Sequence, residues 1–237
     1  MSKGLRISEH FYSLQGEGKT MGIPSVFLRL TACNLMCDHK WTCDTIEVWI
    51  TGEQHTLEET LDLFEKEGYQ EELFKGAHLV ITGGEPLLQQ KEIVEFLKAF
   101  YDRFFYLPYT EIETNGTKLP SDELCKYINL FNVSPKLSNA GMNERRRIKP
   151  DVIKKFNLLE NSIFKFVVAD KEDWKELKEK YLTPFDIRKE KLWLMPAADN
   201  EDMLRTNSVY VAKICIANCI NYSSRLQVEI WNQTTGV

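Results

Sequence analysis

The sequence lacks long apolar runs. No stretch of about 18 apolar residues occurs, and the first ten residues, MSKGLRISEH, contain no apolar core of signal-peptide length. Internal repeats, low-complexity tracts and linkers rich in Pro, Gly or Ser are also missing. These absences argue against a membrane protein or a repeat protein. They predict one cytoplasmic globular domain of 237 residues.

An excess of positive charge is missing as well. The chain has 30 Lys and Arg against 35 Asp and Glu, a net charge of −5. Because this gives no overall basic field, direct binding to nucleic acid is not predicted. The one basic run is ERRRIK at residues 144–149. It has two interpretations: a solvated loop, or a surface for a phosphate-bearing partner or an acidic reductase such as flavodoxin.

Cysteine is scarce, and three of the six cysteines, Cys33, Cys37 and Cys43, lie within eleven residues. In a reducing compartment such clustering indicates a metal or redox site rather than disulfides. Three thiolates can hold three irons of a four-iron cluster and leave the fourth iron open to a small ligand. A structural zinc site normally has four protein ligands, and His39 in the same loop offers the fourth. Both interpretations stay open on the cysteines alone.

Short runs rich in β-branched and aromatic residues alternate with amphipathic segments of helical length, which predicts βα units and a mainly parallel sheet. Six such strands are too few for a closed eight-stranded barrel, so the expected fold is α/β, an incomplete (β/α) barrel of about six mainly parallel strands. The strands are predicted at residues 25–31, 78–82, 109–113, 130–133, 162–168 and 192–195, and the helices at 57–67, 91–101, 121–129, 171–180 and 202–220.

Polar motifs follow four consecutive predicted strands: the cysteine loop, then TGGEP, TNGT and SPK. In parallel βα folds the chemistry collects at the carboxyl ends of the strands, so these motifs predict one shared site. In TGGEP, paired glycines let the backbone approach a ligand closely, and Glu85 adds a carboxylate that can accept hydrogen bonds from an amino group.

Taken together, the cysteine loop, GGEP, ETNGT and SPK resemble the radical S-adenosylmethionine superfamily. The resemblance implies a [4Fe–4S] cluster on Cys33, Cys37 and Cys43, with the amino and carboxylate groups of S-adenosylmethionine on the open iron. Reductive cleavage then yields a 5′-deoxyadenosyl radical that abstracts a hydrogen atom. The five residues between Cys37 and Cys43 exceed the two of the superfamily pattern. We interpret the excess as a three-residue insertion, because Cys43 is still followed by Asp44 and Thr45.

A narrower resemblance covers nearly the whole chain. FYSLQGEG, TGGEPLL, IETNGT, VSPKLSN, FKFVV, LMP and the tail RLQVEIWNQTTGV are similar to the 7-carboxy-7-deazaguanine synthase family. The resemblance implies a single radical S-adenosylmethionine domain over residues 1–237, with a cluster loop at 33–45 and a C-terminal strand or tail near 225–237. It also implies conversion of 6-carboxy-5,6,7,8-tetrahydropterin to 7-carboxy-7-deazaguanine with loss of ammonia, assisted by Mg²⁺. A homodimer and an electron donor such as flavodoxin are implied as partners.

The same resemblance carries roles onto individual residues of this sequence. Arg29 is expected to pair with the substrate carboxylate, and the hydroxyl of Thr45 to bind Mg²⁺. A structural ion pair is the alternative for Arg29. The expected substrate contacts are Leu14, Gln15, Gly16, Arg29 and Thr82, with Glu17 and Gln227 weaker. The expected S-adenosylmethionine contacts are Gly84, Glu85, Ser134, Pro135 and Lys136, with Glu113, Asn115 and Trp41 weaker.

Two positions depart from the family pattern. Thr42 stands where the family has an aromatic residue, with Trp41 one position earlier, and Gln227 stands in place of a histidine. Two other functions stay open: an activase that makes a glycyl radical on a protein partner, and a non-catalytic Cys3His zinc module. QGEG and Arg29 favour a small carboxylated substrate over the activase.

Overall fold

The structure is a computed structural model that describes residues 4–37, 50–232 and 234. Within these residues nine strands form one sheet in the order β3-β1-β2-β4-β5-β6-β7-β8-β9. The strands are β1 Leu5–Leu14, β2 Pro24–Leu30, β3 Glu53–His55, β4 His78–Gly83, β5 Thr110–Thr114, β6 Leu130–Val133, β7 Ser162–Val168, β8 Leu192–Pro196 and β9 Asn221–Tyr222.

The sheet is mostly parallel and open. From β2 through β4 to β9 every neighbouring pair is parallel, whereas β1 runs antiparallel to both β2 and β3. The edge strands β3 and β9 do not pair with each other in the described part of the chain. The predicted incomplete (β/α) barrel is therefore confirmed.

All six predicted strands are present, with ends that differ by at most one residue. The sequence pattern missed β1, β3 and β9. β1 carries mostly half-buried side chains, so the apolar alternation that marks a strand is blurred. β3 and β9 have only three and two residues, too short for a periodic signal.

Helices cover the outer face of the sheet. The predicted helix at 121–129 is shorter than expected, and the one at 171–180 changes to a π-helical turn at Lys178–Leu182. The helices are α1 Leu57–Lys66, α2 Tyr69–Phe74, α3 Gln90–Phe104, α4 Asp122–Cys125, α5 Glu144–Arg147, α6 Pro150–Leu158, α7 Lys171–Leu177, α8 Thr183–Phe185, α9 Glu201–Asn218 and α10 Leu226–Trp231. In the described residues no helix is long and apolar enough to cross a membrane.

Helix α1 shows how the local sequence fixes these elements. The Thr56 hydroxyl accepts a hydrogen bond from Glu59 N at 3.1 Å, and the Glu59 carboxylate accepts one from Thr56 N at 2.7 Å. This reciprocal capping box satisfies two backbone donors that would otherwise be orphaned at the helix start. The helix therefore begins at the predicted residue, and its side chains Leu61 and Phe64 pack into the core.

The two faces of the parallel strands differ in chemistry. Outward side chains such as Ile81, Phe131 and Phe166 are fully buried and share one apolar cluster with helix residues such as Phe96 and Phe100. Side chains that alternate with them point to the concave inner face, because successive residues of a strand face opposite sides. Those inner residues include polar ones, Arg29, Thr82, Glu111, Glu113, Asn132 and Lys165, beside apolar ones such as Phe27, Val80 and Ile163. The concave face thus offers polar groups set among apolar side chains.

The C-terminal segment differs from the expectation. The strand predicted near residues 225–237 is wrong for Leu226–Trp231, which is helix α10. Val228 packs with Ala198 and Leu204, and Leu226 N donates to Gly16 O at 2.9 Å. The expectation of a strand came from the resemblance of the tail to the family, whereas the local contacts of Leu226 and Val228 hold this segment as a helix. The segment lies against the N-terminal loop that joins β1 to β2.

Candidate active site

The loops that follow β2, β4, β5 and β6 meet at the carboxyl edge of the sheet. Gly84 N donates to Leu30 O at 3.2 Å, and Glu85 N donates to Ala32 O at 2.9 Å. On the next pair of loops, Ser134 N donates to Thr114 O at 2.7 Å. The structure therefore brings the four polar motifs into one place.

The cysteine loop presents its first thiol to nitrogen donors. Leu35 N lies 3.4 Å from Cys33 Sγ, and the side-chain amide of Asn115 lies 3.8 Å from the same sulfur. Asn115 is held by Thr117, whose hydroxyl donates to Asn115 Oδ1 at 2.6 Å. Donors aimed at a sulfur tune any metal that it binds.

The second thiol, Cys37, is buried with Leu35, Ala140 and Met142. These neighbours belong both to the cysteine loop and to the segment that follows SPK. Cys43, the third expected ligand, lies outside the described residues, as do His39, Trp41, Thr42 and Thr45.

The GGEP turn lies directly on the cysteine loop. A Cβ atom at Gly84 would lie 2.2 Å from Ala32 O and 2.7 Å from Cys33 Cβ, which no other residue tolerates. Glycine is therefore needed here for close approach of two backbones.

Glu85 is fully buried, and its carboxylate binds the neighbouring loops. It accepts hydrogen bonds from Leu87 N at 3.0 Å, the Thr114 hydroxyl at 2.8 Å and Asn115 N at 2.7 Å. Burial raises the pKa of Glu85 despite these bonds. In this structure the side chain positions the TNGT loop; its predicted contact with S-adenosylmethionine stays a prediction.

The SPK segment is held through its backbone. The Lys136 carbonyl accepts hydrogen bonds from the Tyr181 hydroxyl at 2.7 Å and from Arg147 Nη1 at 3.1 Å. The Lys136 ammonium lies 3.2 Å from the Ser134 hydroxyl. Pro135 is buried between them, so the three residues present a fixed edge beside the cysteine loop.

Below these loops, the concave face holds a polar group centred on Glu113. Its carboxylate accepts from the Thr82 hydroxyl at 2.8 Å and from Gln15 Nε2 at 3.3 Å. Gln15 in turn accepts from Glu17 N at 3.1 Å, which ties the QGEG turn to the sheet. Glu113 therefore lies among the residues expected to bind substrate rather than those expected to bind S-adenosylmethionine.

Arg29 lies beside Thr82 in the register of β2 and β4. Its Nε atom lies 2.6 Å from Glu9 Oε1, so the structural ion pair is real. In the described residues neither terminal nitrogen of Arg29 has a protein partner. The pair fixes the guanidinium plane and leaves its outer edge for a ligand.

Glu17 is the centre of a buried ion cluster with Lys165 and Arg225. Its carboxylate binds the Lys165 ammonium, Arg225 Nε at 3.2 Å and Gln227 Nε2 at 2.8 Å. Burial alone would raise the pKa of Glu17, but the two cations hold it well below its usual range. The cluster joins the QGEG turn, β7 and α10.

Asn132 carries an unsatisfied amide on the concave face. It is 1% exposed, and among the residues that the structure describes neither its Oδ1 nor its Nδ2 has a hydrogen-bond partner. It pairs with Glu113 across β5 and β6, and a Cβ atom on Gly18 would approach its Nδ2 to 2.5 Å. A buried amide without partners costs about 1–3 kcal/mol, so it favours a ligand with complementary donors and acceptors.

Comparison with known proteins decides the family. Residues 14–151 match the family described as a 4Fe-4S single cluster domain. The 7-carboxy-7-deazaguanine synthase of Pyrobaculum aerophilum is 30% identical over 98% of this chain and 97% of its own. The enzyme of the same name from Halobacterium salinarum is 33% identical over 96% of this chain and 91% of its own. The chain belongs to the 7-carboxy-7-deazaguanine synthase family.

Solved structures agree with this assignment. QueE from Escherichia coli is 25% identical, covers 94% of each chain and superposes with a TM-score of 0.67. SuiB from Streptococcus suis, 17% identical with a TM-score of 0.53, shares the fold. As a member of the 7-carboxy-7-deazaguanine synthase family, the chain is a radical S-adenosylmethionine enzyme with a 4Fe-4S domain. The synthase interpretation is therefore favoured over the activase and the zinc module.

The structure brings together most of the described residues that the family resemblance predicts for the site. Leu14, Gln15 and Gly16 line the turn that Gln227 covers, and a Cβ atom on Gly16 would lie 2.0 Å from Gln227 Oε1. The residue in place of the family histidine thus contacts Glu17 and the Gly16 backbone.

Sequence reasoning missed Lys165, Arg225 and Asn132. Lys165 did carry a signal, because a lysine inside the apolar strand SIFKFVV needs a buried partner or a ligand. Asn132, inside the apolar strand LFNV, carried a similar but weaker signal. Arg225 carried none, since its partner Glu17 lies 208 positions away in sequence.

Proposed function

We propose that the chain is a 7-carboxy-7-deazaguanine synthase of 7-deazapurine (queuosine-type) biosynthesis. It converts 6-carboxy-5,6,7,8-tetrahydropterin to 7-carboxy-7-deazaguanine with loss of ammonia. The observation that carries the proposal is that the cysteine loop and the GGEP turn lie together at the edge of the concave face. The chain is also similar over nearly its whole length to synthases of that name.

The residues present fit an iron–sulfur cluster and S-adenosylmethionine. Cys33 faces two nitrogen donors, and Gly84 removes the side chain that would block the cysteine loop. We assign Cys33, Cys37 and Cys43 as the three ligands of a [4Fe–4S] cluster, and Thr45 as a ligand of Mg²⁺. When bound, the cluster and S-adenosylmethionine supply hydrogen-atom abstraction from the substrate.

S-adenosylmethionine lies, in this proposal, between the GGEP turn and the SPK segment. Gly84 and the fixed edge formed by Ser134, Pro135 and Lys136 bind it mainly through backbone groups. Glu85 acts by holding the neighbouring Asn115 in place, since its own carboxylate is already bound within the protein.

The concave face suits a carboxylated pterin. The outer edge of Arg29 meets the substrate carboxylate as a planar fork. The pterin ring carries N–H donors beside acceptors; Glu113 and Gln15 offer acceptors, and the unsatisfied Asn132 offers both kinds. Thr82 orients the Glu113 carboxylate.

Anaerobic reconstitution tests the function. The protein is loaded with iron and sulfide, reduced with dithionite, and offered S-adenosylmethionine, Mg²⁺ and 6-carboxy-5,6,7,8-tetrahydropterin. We expect 7-carboxy-7-deazaguanine by mass spectrometry, with S-adenosylmethionine recovered rather than consumed. An intact four-iron spectrum without this product would reject the substrate assignment, and bound zinc without iron or sulfide would reject the enzyme.

Arg29→Lys is expected to raise KM for the carboxytetrahydropterin about 10–100-fold with little change in kcat. An ammonium retains the charge but loses the second hydrogen bond of the fork, worth about 1.5–3 kcal/mol at a charged group. Steady-state kinetics measure the change. Arg103→Lys, on an exposed carboxylate cluster, is the control and should leave KM unaltered. An unchanged KM in Arg29→Lys would mean that Arg29 does not bind the substrate and only forms its ion pair with Glu9.

The proposal also includes the setting of the enzyme. We propose a homodimer in the reducing cytoplasm, with an electron donor such as flavodoxin and no contact with nucleic acid or membrane. The family resemblance supports the dimer and the donor, and the oxygen sensitivity of an open iron site supports the compartment. Light scattering on the anaerobic holoenzyme measures the oligomeric state.

A further inference from the structure

The three consecutive arginines of α5 have two different roles. Arg147 is only 4% exposed. Its Nη2 lies 2.6 Å from Glu176 Oε1, and its other nitrogens donate to Lys136 O and Met142 O. Arg147 therefore anchors the short helix, while Arg145 and Arg146 remain exposed at the surface.

These exposed cations are not neutralised by neighbouring carboxylates. Among the described residues, Arg145, Arg146 and Lys149 form no ion pair. Two neighbouring carboxylates have other partners: Glu144 binds Lys180 at 2.9 Å, and Glu176 binds Arg147. On a chain with a net charge of −5, this basic area is an exception that needs a reason.

The basic area lies against the cysteine loop. Arg146 Nη2 donates to Asn34 O at 3.3 Å, and Asn34 directly follows Cys33. Below the surface, Ala140 and Met142 pack against Cys37. Arg146 therefore lies next to the backbone that follows the first expected cluster ligand.

An exposed apolar residue completes the surface. Met36 lies between the two described cysteines and is 54% exposed. Methionine and arginine are enriched where proteins meet, with apolar groups at the centre and charged groups at the rim. Met36, two residues after the Asn34 carbonyl that Arg146 contacts, gives the surface this composition.

We propose that Met36, Arg145, Arg146 and Lys149 form the docking surface of an acidic one-electron carrier protein. The inference rests on the proposed function, which needs one electron at the cluster. The reduced carrier loses one electron, the cluster gains it, and no atom or proton is transferred. The basic rim steers and orients the acidic carrier so that its redox group meets the surface next to the ligands.

The test uses the reconstituted holoenzyme and flavodoxin as the acidic carrier. The variant is Arg145→Glu/Lys149→Glu, which spares Arg146 and its contact with the cysteine loop. The control, Lys66→Glu/Lys75→Glu, makes the same charge change at exposed sites outside this surface. Calorimetric titration gives the Kd for flavodoxin at low and high salt, and turnover is measured with reduced flavodoxin and with dithionite.

We expect the variant to raise Kd at least tenfold at low salt and to lose most of the salt dependence of binding. Turnover with flavodoxin should fall by a similar factor, while turnover with dithionite and the cluster absorbance stay unchanged; the control should match the parent. An unchanged Kd, or an equal loss in the control, would overturn the docking surface. If the proposed substrate were wrong, dithionite turnover would already be missing in the parent, whatever the Kd values.

Discussion

Replacing Cys33 by alanine is expected to abolish cluster binding and to lower turnover more than about 10³-fold, since the cluster then loses one of its three thiolate ligands. Among the described residues, the Leu35 and Asn115 nitrogens lie 3.4 Å and 3.8 Å from this sulfur, and both are hydrogen-bond donors rather than metal ligands. Iron and sulfide content, the visible absorbance and product formation measure the effect.

The matched control is Cys125→Ala. Cys125 is partly buried against the core at the end of α4 and belongs to none of the four motif loops. It should keep full iron content and activity and lose about 1 kcal/mol of unfolding free energy through lost packing. Circular dichroism should show both variants folded. A Cys33→Ala protein with full iron and sulfide would remove this residue from the ligand set.

Glu17→Gln is expected to lower the free energy of unfolding by about 3–5 kcal/mol, because it leaves buried cations without their counter-charge. Lys165 is only 5% exposed, so the lost partner is not replaced by water. Denaturant unfolding of the parent and variant measures the change. The turn at Leu14 to Gly16 loses its anchor as well, so KM for the pterin should rise.

A double variant separates the charge from the packing. Glu17→Gln/Lys165→Met removes both charges while nearly keeping the volumes, and should recover a large part of the stability lost in Glu17→Gln. If the double variant were as unstable as the sum of the single variants, the two side chains would not be coupled. Glu123→Gln is the control, since its pair with Lys98 is exposed and contributes little.

The pH dependence has a definite sign. Because the pKa of Glu17 is lowered on folding, its contribution is complete above the ordinary carboxyl value of 4.5 and is lost as the pH falls below it. For Lys165, burial lowers the pKa but Glu17 raises it further, so its contribution persists below 10.5 and fades at higher pH. The stability difference between parent and Glu17→Gln should thus shrink as the pH falls below 4.5.

The sequence predicted the parallel strands and the meeting of the four motif loops, because both follow from local patterns. Buried strands such as SIFKFVV and turns such as TGGEP carry their signal within a few residues. The pairing of Glu17 with Lys165 and Arg225 could not be predicted, since 148 and 208 positions separate the partners. The periodicity of apolar residues predicts which face of a strand or helix a residue lies on, but not which distant residue it contacts.

The C-terminal helix was misjudged for a related reason. The family resemblance implied a strand, but the hydrogen bond from Leu226 to Gly16 and the packing of Val228 accompany a helix. Glu85 shows the same limit within a motif. The GGEP sequence predicts where the turn lies, but it does not predict the three partners of the Glu85 carboxylate, two of which are on the neighbouring loop.

The contact of α10 with the QGEG turn has a consequence for the order of assembly. A ribosome makes Cys33 and the GGEP turn long before it makes Arg225 and Gln227, which anchor Glu17. In the growing chain, the cysteines expected to bind iron are therefore present before helix α10, which contacts the QGEG turn, has been made. The substrate side of the site is therefore completed only after nearly the whole chain has been made.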